Sequence, residues 1–236
     1  LEAAGAALGL GADELSAIRL SLLVASVGTL ASLPLAIAVA LALARGRFPG
    51  KTLLDGLVHL PLVMPPVVTG YLLLLAFGRR GPLGQALEAC CGLVFSFRWT
   101  GAALAAGIMG FPLMVRAIRL SLEAVDRRLE DAAATLGAGR LGVLFAVTLP
   151  LALPGLLAGL VLAFAKALGE FGATITFVSN IPGETRTLPA AIYTLTQTPG
   201  GDAAALKLVG VAIVLSLGAL IASEMLARRL ATRISG

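Results

Sequence analysis

Residues Glu123 to Pro150 read EAVDRRLEDAAATLGAGRLGVLFAVTLP. Charged residues lead into an Ala-rich run of strong helix formers, Gly137 and Gly139 interrupt it, and a second apolar run ends at Leu149-Pro150. The pattern predicts helix, turn, helix, with Gly137 giving the backbone freedom the turn needs. The small side chains of the first helix suit close approach by a groove on a partner protein. Working outward, the chain becomes strongly apolar on both sides, so the segment reads as a loop between two membrane spans.

The rest of the composition agrees. Hydrophobic residues make up 58% of the 236, charged residues only 13%, and the mean hydropathy is +0.96, an apolar excess for which the bilayer is the natural solvent. Runs of about 20 apolar residues predict an all-α membrane protein, a single transmembrane domain over residues 1–236 with about five spans, at 16–44, 53–77, 100–121, 147–169 and 205–227. A further segment, Thr187 to Leu195, is too short and polar to cross. The chain opens at Leu1 with no basic n-region or cleavage pattern, so the first apolar run is read as a retained span, with a few residues expected to precede Leu1.

The net charge of +5 and pI of about 9.9 do not point to nucleic acid, because the basic residues stand singly between apolar runs with little aromatic interleaving. They fix an orientation instead. With the N-terminus outside and the C-terminus inside, eleven of the 18 Lys and Arg face the inner side, Arg45, Arg116, Arg128, Arg228, Arg229 and Arg233 among them. Six face outward (Arg19, Arg79, Arg80, Arg98, Arg186 and Lys207), and Lys166 lies within a span. The loop at about 121–150 is then cytoplasmic and the loop at about 170–201 external. Five spans without an internal repeat are few for a secondary carrier, and a homodimer would supply a second half by symmetry.

Catalysis finds no footing. Gly50-Lys51-Thr52 ends like a phosphate-binding loop, but Arg45 stands where the first glycine is required. His59 is the single histidine and Cys90 and Cys91 are adjacent, which gives neither a disulfide framework nor a metal site; the two cysteines are read as structural. No Ser/His/Asp or paired-carboxylate arrangement suggests an enzyme.

For a path through the membrane, three features stand out. Pro61, Pro65 and Pro66 fall at membrane depth in the second span, where lost backbone hydrogen bonds are tolerated in a kink buried in protein or beside a water-filled path. Lys166 and Glu170, four residues apart, share a helix face and can pair, either as a functional site or as a brace. The segment Gly169 to Pro189 is rich in hydroxyl and small residues, with Thr174, Ser179 and Arg186 as donors suited to an oxyanion or to any wet loop.

The cytoplasmic loop resembles that of the ABC-importer permeases: EAA, three residues, Gly, nine residues, Ile, one residue, Leu-Pro. Here Asp131-Ala132-Ala133, Gly137, Val147 and Leu149-Pro150 stand at those positions, with Asp131 for Glu, Glu130 beside it, and Val147 for Ile. Phe48-Pro49-Gly50-Lys51, HLPLVMPPVVTGYLLL from His59 to Leu74, Thr135 to Gly139 and Gly169 to Pro189 resemble the bacterial molybdate permeases, relatives of the sulfate and thiosulfate permeases. The resemblance implies a type I importer permease core in the bacterial inner membrane, with molybdate as substrate and tungstate, sulfate or thiosulfate as alternatives. It further implies a homodimer with two ATP-binding cassette subunits docked on the loops, ATP and Mg2+ held there and no cofactor in this chain, and a periplasmic molybdate-binding protein. An ion-coupled secondary carrier with Lys166 and Glu170 as its relay is the alternative from another class.

Overall fold

The computed structural model describes the backbone of residues 10–234, and side chains as far as residue 222 together with Met225. The residues expected before Leu1, and the side chains of Arg228, Arg229 and Arg233 assigned to the inner side, lie outside the described residues. All regular structure within that range is helical.

Helix α1 (Ala12–Arg45) opens with Glu14 Oε2 accepting the Gly11 N–H at 2.5 Å and ends at Gly46, with Arg45 in its last turn where a cation suits the helix dipole. Two shorter helices follow, α2 (Lys51–Val63) and α3 (Pro66–Phe77), and they meet at 113°. The expected continuous span at 53–77 is therefore broken. Consecutive Pro65 and Pro66 are the cause: each bars the helical conformation of the residue before it, so Met64 (ψ 145°) and Pro65 (ψ 132°) are extended. A short α4 (Pro82–Cys91) lies in the outer connection, closed by Gly92 at φ 65°.

Helix α5 (Trp99–Ala124) is the centre of the bundle. Its most apolar stretch is 67% buried, against 28% for that of α1, so it carries most of the internal packing while the others turn faces outward. Across the inner end run α6 (Arg127–Thr135) and a one-turn α7 (Arg140–Val143), which continues through a π turn (Leu144–Thr148) into α8 (Leu149–Leu168). The short α9 (Gly172–Val178) and α10 (Leu188–Thr196) occupy the outer half, and α11 (Asp202–Ile234) closes the chain.

α5 packs along α1 on one side and α8 on the other, α11 lies on α8 and α10, and α9 wedges against α3 and α5. Where α1 crosses α5, a Cβ on Gly28 would stand 2.4 Å from the Ala103 carbonyl oxygen and one on Gly107 2.8 Å from that of Gly28. Backbones this close gain dispersion and weak polar contact, the usual source of helix association where lipid removes the hydrophobic drive. Below that crossing Met114, Val115, Ile118 and Leu122 of α5 are fully buried against Leu43, Ala36 and Ala40 of α1.

Among the described residues four helical stretches are long and apolar enough to span: Ala12–Arg45, Trp99–Ala124, Arg140–Leu168 and Asp202–Ala222. The bent pair α2–α3 makes a fifth, broken span or a re-entrant loop.

Candidate functional site

The cytoplasmic loop is a helical strap tied at both ends. Asp126 caps α6 by accepting the Arg128 N–H at 2.9 Å. At the far end the Ala138 N–H reaches the Ala133 carbonyl (3.1 Å) and the Gly137 N–H that of Ala134 (3.0 Å), a Schellman closure with Gly137 at φ 88°. Gly137 is thus required by conformation. A Cβ there would meet nothing within 4 Å, so the chain itself does not crowd it.

Glu130 and Asp131, adjacent in sequence, separate in role. Glu130 Oε1 accepts from Arg45 Nη2 at 3.0 Å and from Thr148 Oγ1 at 2.8 Å, and Arg45 Nη2 also donates to the Val125 carbonyl at 3.2 Å. The strap is thereby pinned to the inner end of α1 and to the start of α8. With side chains 22% and 20% exposed, Arg45 and Glu130 are shielded enough for the pair to matter. Asp131 and Ala132 face outward and Ala133 is half-buried. Beside them Leu136 (89% exposed), Leu141 (70%) and Phe145 (65%) stand unpacked.

Val147, Leu149 and Pro150, which end the signature, fall at the π turn and its exit. Pro150 has no N–H to give, and its ring crowds the carbonyl four residues back, that of Ala146. One residue of π winding relieves that crowding, the Leu149 N–H bonding to the Leu144 carbonyl. The extra residue also rotates Thr148 inward, 3% exposed, onto Glu130.

Beside the strap, Arg119 bridges α5 to α2, donating to Asp55 at 3.1 Å and to Glu123 at 2.8 Å, while His59 Nδ1 lies 2.9 Å from the Asp55 carbonyl. His59 is thus a helix-surface group in a polar network. Lys51 reaches back to the Gly46 carbonyl at 3.3 Å from the first turn of α2, a setting with no strand before it. Cys90 and Cys91 are exposed at the end of α4, outside the core where structural cysteines sit.

At membrane depth the structure joins two regions that are a hundred residues apart. A Cβ on Gly172 would lie 2.7 Å from Pro66 Cβ, and one on Gly70 would lie 2.5 Å from the Ala173 carbonyl, so α3 and α9 are in backbone contact. Pro65 and Pro66 therefore sit beside the Glu170 turn. That turn is held by Glu170, 2% exposed, whose Oε2 accepts from Lys166 Nζ and whose Oε1 accepts the Ala173 N–H, each at 2.9 Å. The carboxylate satisfies an otherwise orphaned donor of α9 and is balanced by a lysine one helical turn before it. Pro61 lies elsewhere, on an apolar cleft of about 670 Å³ between α1, α2 and α5 that Val27, Ser32, Trp99 and Phe111 also line.

The outer donors do not converge. Thr174 is buried, its hydroxyl donating to the Phe171 carbonyl at 2.9 Å. Arg186 Nε donates to Asn180 Oδ1 at 3.0 Å, and Asn180 Nδ2 to Thr194 Oγ1 at 2.8 Å, which staples the loop to α10. Ser179 is exposed at φ 66°, ψ −159°, a region that is essentially glycine's own. α10 is tied to α1 by the Leu188 N–H on buried Ser21 Oγ at 2.5 Å. Sequence reasoning passed over Arg45, Thr148, Asn180 and Ser21, whose partners are remote in the chain or were read as loop.

Residues 32–232 match the family model described as binding-protein-dependent transport system inner membrane component. The molybdenum transport system permease protein ModB of Escherichia coli is 61% identical over 215 residues, 91% of this chain and 94% of that protein. That of Haemophilus influenzae is 58% identical over 94% of this chain and 96% of its own length. A sulfate transport system permease protein of Synechococcus elongatus is 40% identical over 84% of this chain and 70% of its length. Among solved structures, a bacterial ABC transporter involved in the import of alginate superposes with a TM-score of 0.74 at 18% identity, covering 95% of this chain and 82% of that one. The MetNI methionine ABC transporter does so at 0.65 and 13%, covering 92% and 94%. The last two show the fold, that of an ABC-importer permease. With most of its length matched and its helices built to cross a bilayer, the chain belongs to the binding-protein-dependent transport system inner membrane component family, multi-pass proteins of the bacterial inner membrane.

Proposed function

We propose that this chain is the membrane-spanning permease subunit of an ATP-driven molybdate importer, working as a homodimer with two ATP-binding cassette subunits and a periplasmic molybdate-binding protein. The observation that carries the reading is the inner strap, which Glu130 ties to Arg45 and Thr148 while Leu136, Leu141 and Phe145 stand exposed. Apolar side chains at such exposure, on a strap pinned to α1 and α8, suit insertion into a groove of a partner. Asp131, Ala132 and Ala133 would face that partner, with Gly137 ending the docking helix. The substrate reading rests on the molybdenum permeases at 61% and 58% identity.

In this mechanism the cassette subunits would bind ATP together with Mg2+ and hydrolyse the ATP. Their closure moves the strap, and Glu130 passes the movement to Arg45 of α1 and Thr148 of α8. The α3–α9 contact, with Pro65, Pro66 and Glu170 around it, is the irregular backbone at membrane depth best placed to act as the gate. Lys166 and Glu170 brace that gate. Glu170 already accepts two hydrogen bonds, which makes it a poor proton relay and weighs against an ion-coupled carrier.

The test is uptake of radiolabelled molybdate by proteoliposomes holding this chain with its cassette partner. Uptake should require ATP and the binding protein, resist excess sulfate and ignore uncouplers while ATP is held constant. Uptake without ATP would sink the proposal, and loss to sulfate would shift the substrate to that ion.

A further inference from the structure

The outer face carries a cleft of about 650 Å³ separate from the α3–α9 contact, lined among others by Arg79, Ser96, Arg98, Trp99 and Glu184. It opens at the N-terminus of α5, a helix of 26 residues with no side-chain cap, so the N–H groups of its first turn carry the positive end of a long dipole. The side chains of Arg79 and Arg98 are exposed and make no ion pair or hydrogen bond among the described residues. Both stand on the side of the membrane where insertion does not favour cations, so topology gives no reason for them. Ser96, 4% exposed, forms part of the wall, and its Oγ is buried with no hydrogen-bond partner. A lone buried hydroxyl is destabilising unless something completes it. Phe97 beside it takes φ 57° in a turn closed by the Arg98 N–H on the Phe95 carbonyl at 3.4 Å, a conformation rare for a bulky residue.

We propose that this cleft is an external subsite for a tetrahedral oxyanion, where the dianion released at the outer face is held before it enters the path. Arg79 and Arg98 supply charge, Ser96 and the first N–H groups of α5 supply hydrogen bonds, and Glu184, an acidic lining residue, keeps the hold weak enough for onward release. The inference rests on the oxyanion-importer reading and adds to it a place on the permease itself.

Trp99 lines the cleft and is the single tryptophan of the chain, which makes it a built-in reporter. The full chain in neutral-lipid nanodiscs is titrated with molybdate, and separately with tungstate, at ionic strength held constant with chloride. A saturable change in Trp99 fluorescence is expected. It should weaken roughly tenfold or more in the Arg79→Gln/Arg98→Gln double variant, weaken less in Ser96→Ala, and persist in Arg79→Lys/Arg98→Lys. Binding that survives the loss of both arginines overturns the proposal. So does a flat titration by a preparation that still imports molybdate with its partners, which leaves the importer reading standing; failure of import under the same conditions is what would count against that reading. A response to unloaded binding protein with which free molybdate does not compete would make the arginines docking groups and likewise overturn the subsite.

Discussion

On the inner side of the bundle Asp126, Glu130 and Thr148 all have partners within the chain, and the large apolar side chains of Leu129, Leu136, Leu141 and Phe145 stand exposed among the exposed Arg127, Arg128, Asp131 and Arg140. The outer side gathers exposed cations around a cleft. Leu188, Ala190 and Ala191 are packed away, while among the described residues Arg79 and Arg98 stand without partners and Ser96 keeps a buried hydroxyl unbonded. A surface that sets exposed apolar side chains on a pinned strap offers area, which suits a protein partner. One that leaves cations and donors unsatisfied offers charge and hydrogen bonds, which suits a small polar ligand. The contrast can be attacked from either side, beginning with the inner brace.

Glu130→Ala should have the largest effect on transport. It removes the acceptor that Arg45 and Thr148 share, leaving Arg45 Nη2 the Val125 carbonyl and Thr148 Oγ1 the Val143 carbonyl at 3.5 Å, with a cost of about 2 kcal/mol for a partly shielded charge-assisted network. Thermal unfolding in nanodiscs reads that loss. Because the strap would come loose from α1 and α8, ATP hydrolysis by the assembled transporter should persist while uptake falls. The Arg45→Ala/Glu130→Ala pair should be less destabilised than the sum of its singles, and simple additivity would show that the two residues do not act together.

That brace also marks where sequence reading reaches its limit. The spacing from Asp131 to Pro150 is local, and it placed the strap, its glycine break and its Leu-Pro exit on residues where the fold has them. Arg45 and Glu130 are 85 residues apart, and nothing in the periodicity of either segment announces the other. The choice between Glu130 and Asp131 was equally illegible, because it depends on a π turn that rotates Thr148 inward. In the second span the prolines were visible, but a kink and a 113° break carry the same residues; only the packing of α9 into the bend distinguishes them. Lys166 and Glu170 were legible as a pair because they lie one turn apart, whereas the Ala173 N–H that occupies the carboxylate belongs to a helix too short to register as one.

Lys166→Met tests whether that outer pair braces or conducts. Its partner Glu170 is buried, so an uncompensated carboxylate should cost about 1–3 kcal/mol. ATP-dependent uptake measured below the unfolding temperature should nevertheless remain. Glu170→Gln should be milder than Glu170→Ala, since an amide oxygen can still accept the Ala173 N–H. Abolition of uptake by Lys166→Met in a folded protein would restore the relay reading.

Gly137 separates conformation from crowding on the inner side. At φ 88° with open space around its missing Cβ, Gly137→Val should lose about 1–2 kcal/mol through the left-handed backbone alone. Gly137→Asn, which tolerates that region, should lose less in the same unfolding assay. Uptake decides the rest: if the docked partner also needs the space, even Asn should uncouple hydrolysis from transport, whereas normal uptake by Asn would confine the role of Gly137 to the turn.

Ser179→Gly carries the smallest expected change and runs in the opposite direction. Ser179 holds φ 66° and ψ −159° at the end of α9, its backbone N–H bonded to the Ile175 carbonyl at 3.1 Å and its carbonyl accepting from buried Thr185 at 3.3 Å. These bonds keep a serine where only glycine is at ease, so glycine should raise stability by about 1 kcal/mol, after its own entropic cost in the unfolded chain is deducted. A rise with uptake unchanged would make the strain incidental to loop closure. A rise accompanied by slower uptake would mean that the serine, or the tension it keeps at the end of α9, serves the gate, and the outer side would then resemble the inner in storing its function in the backbone as well as in its unpaired charges.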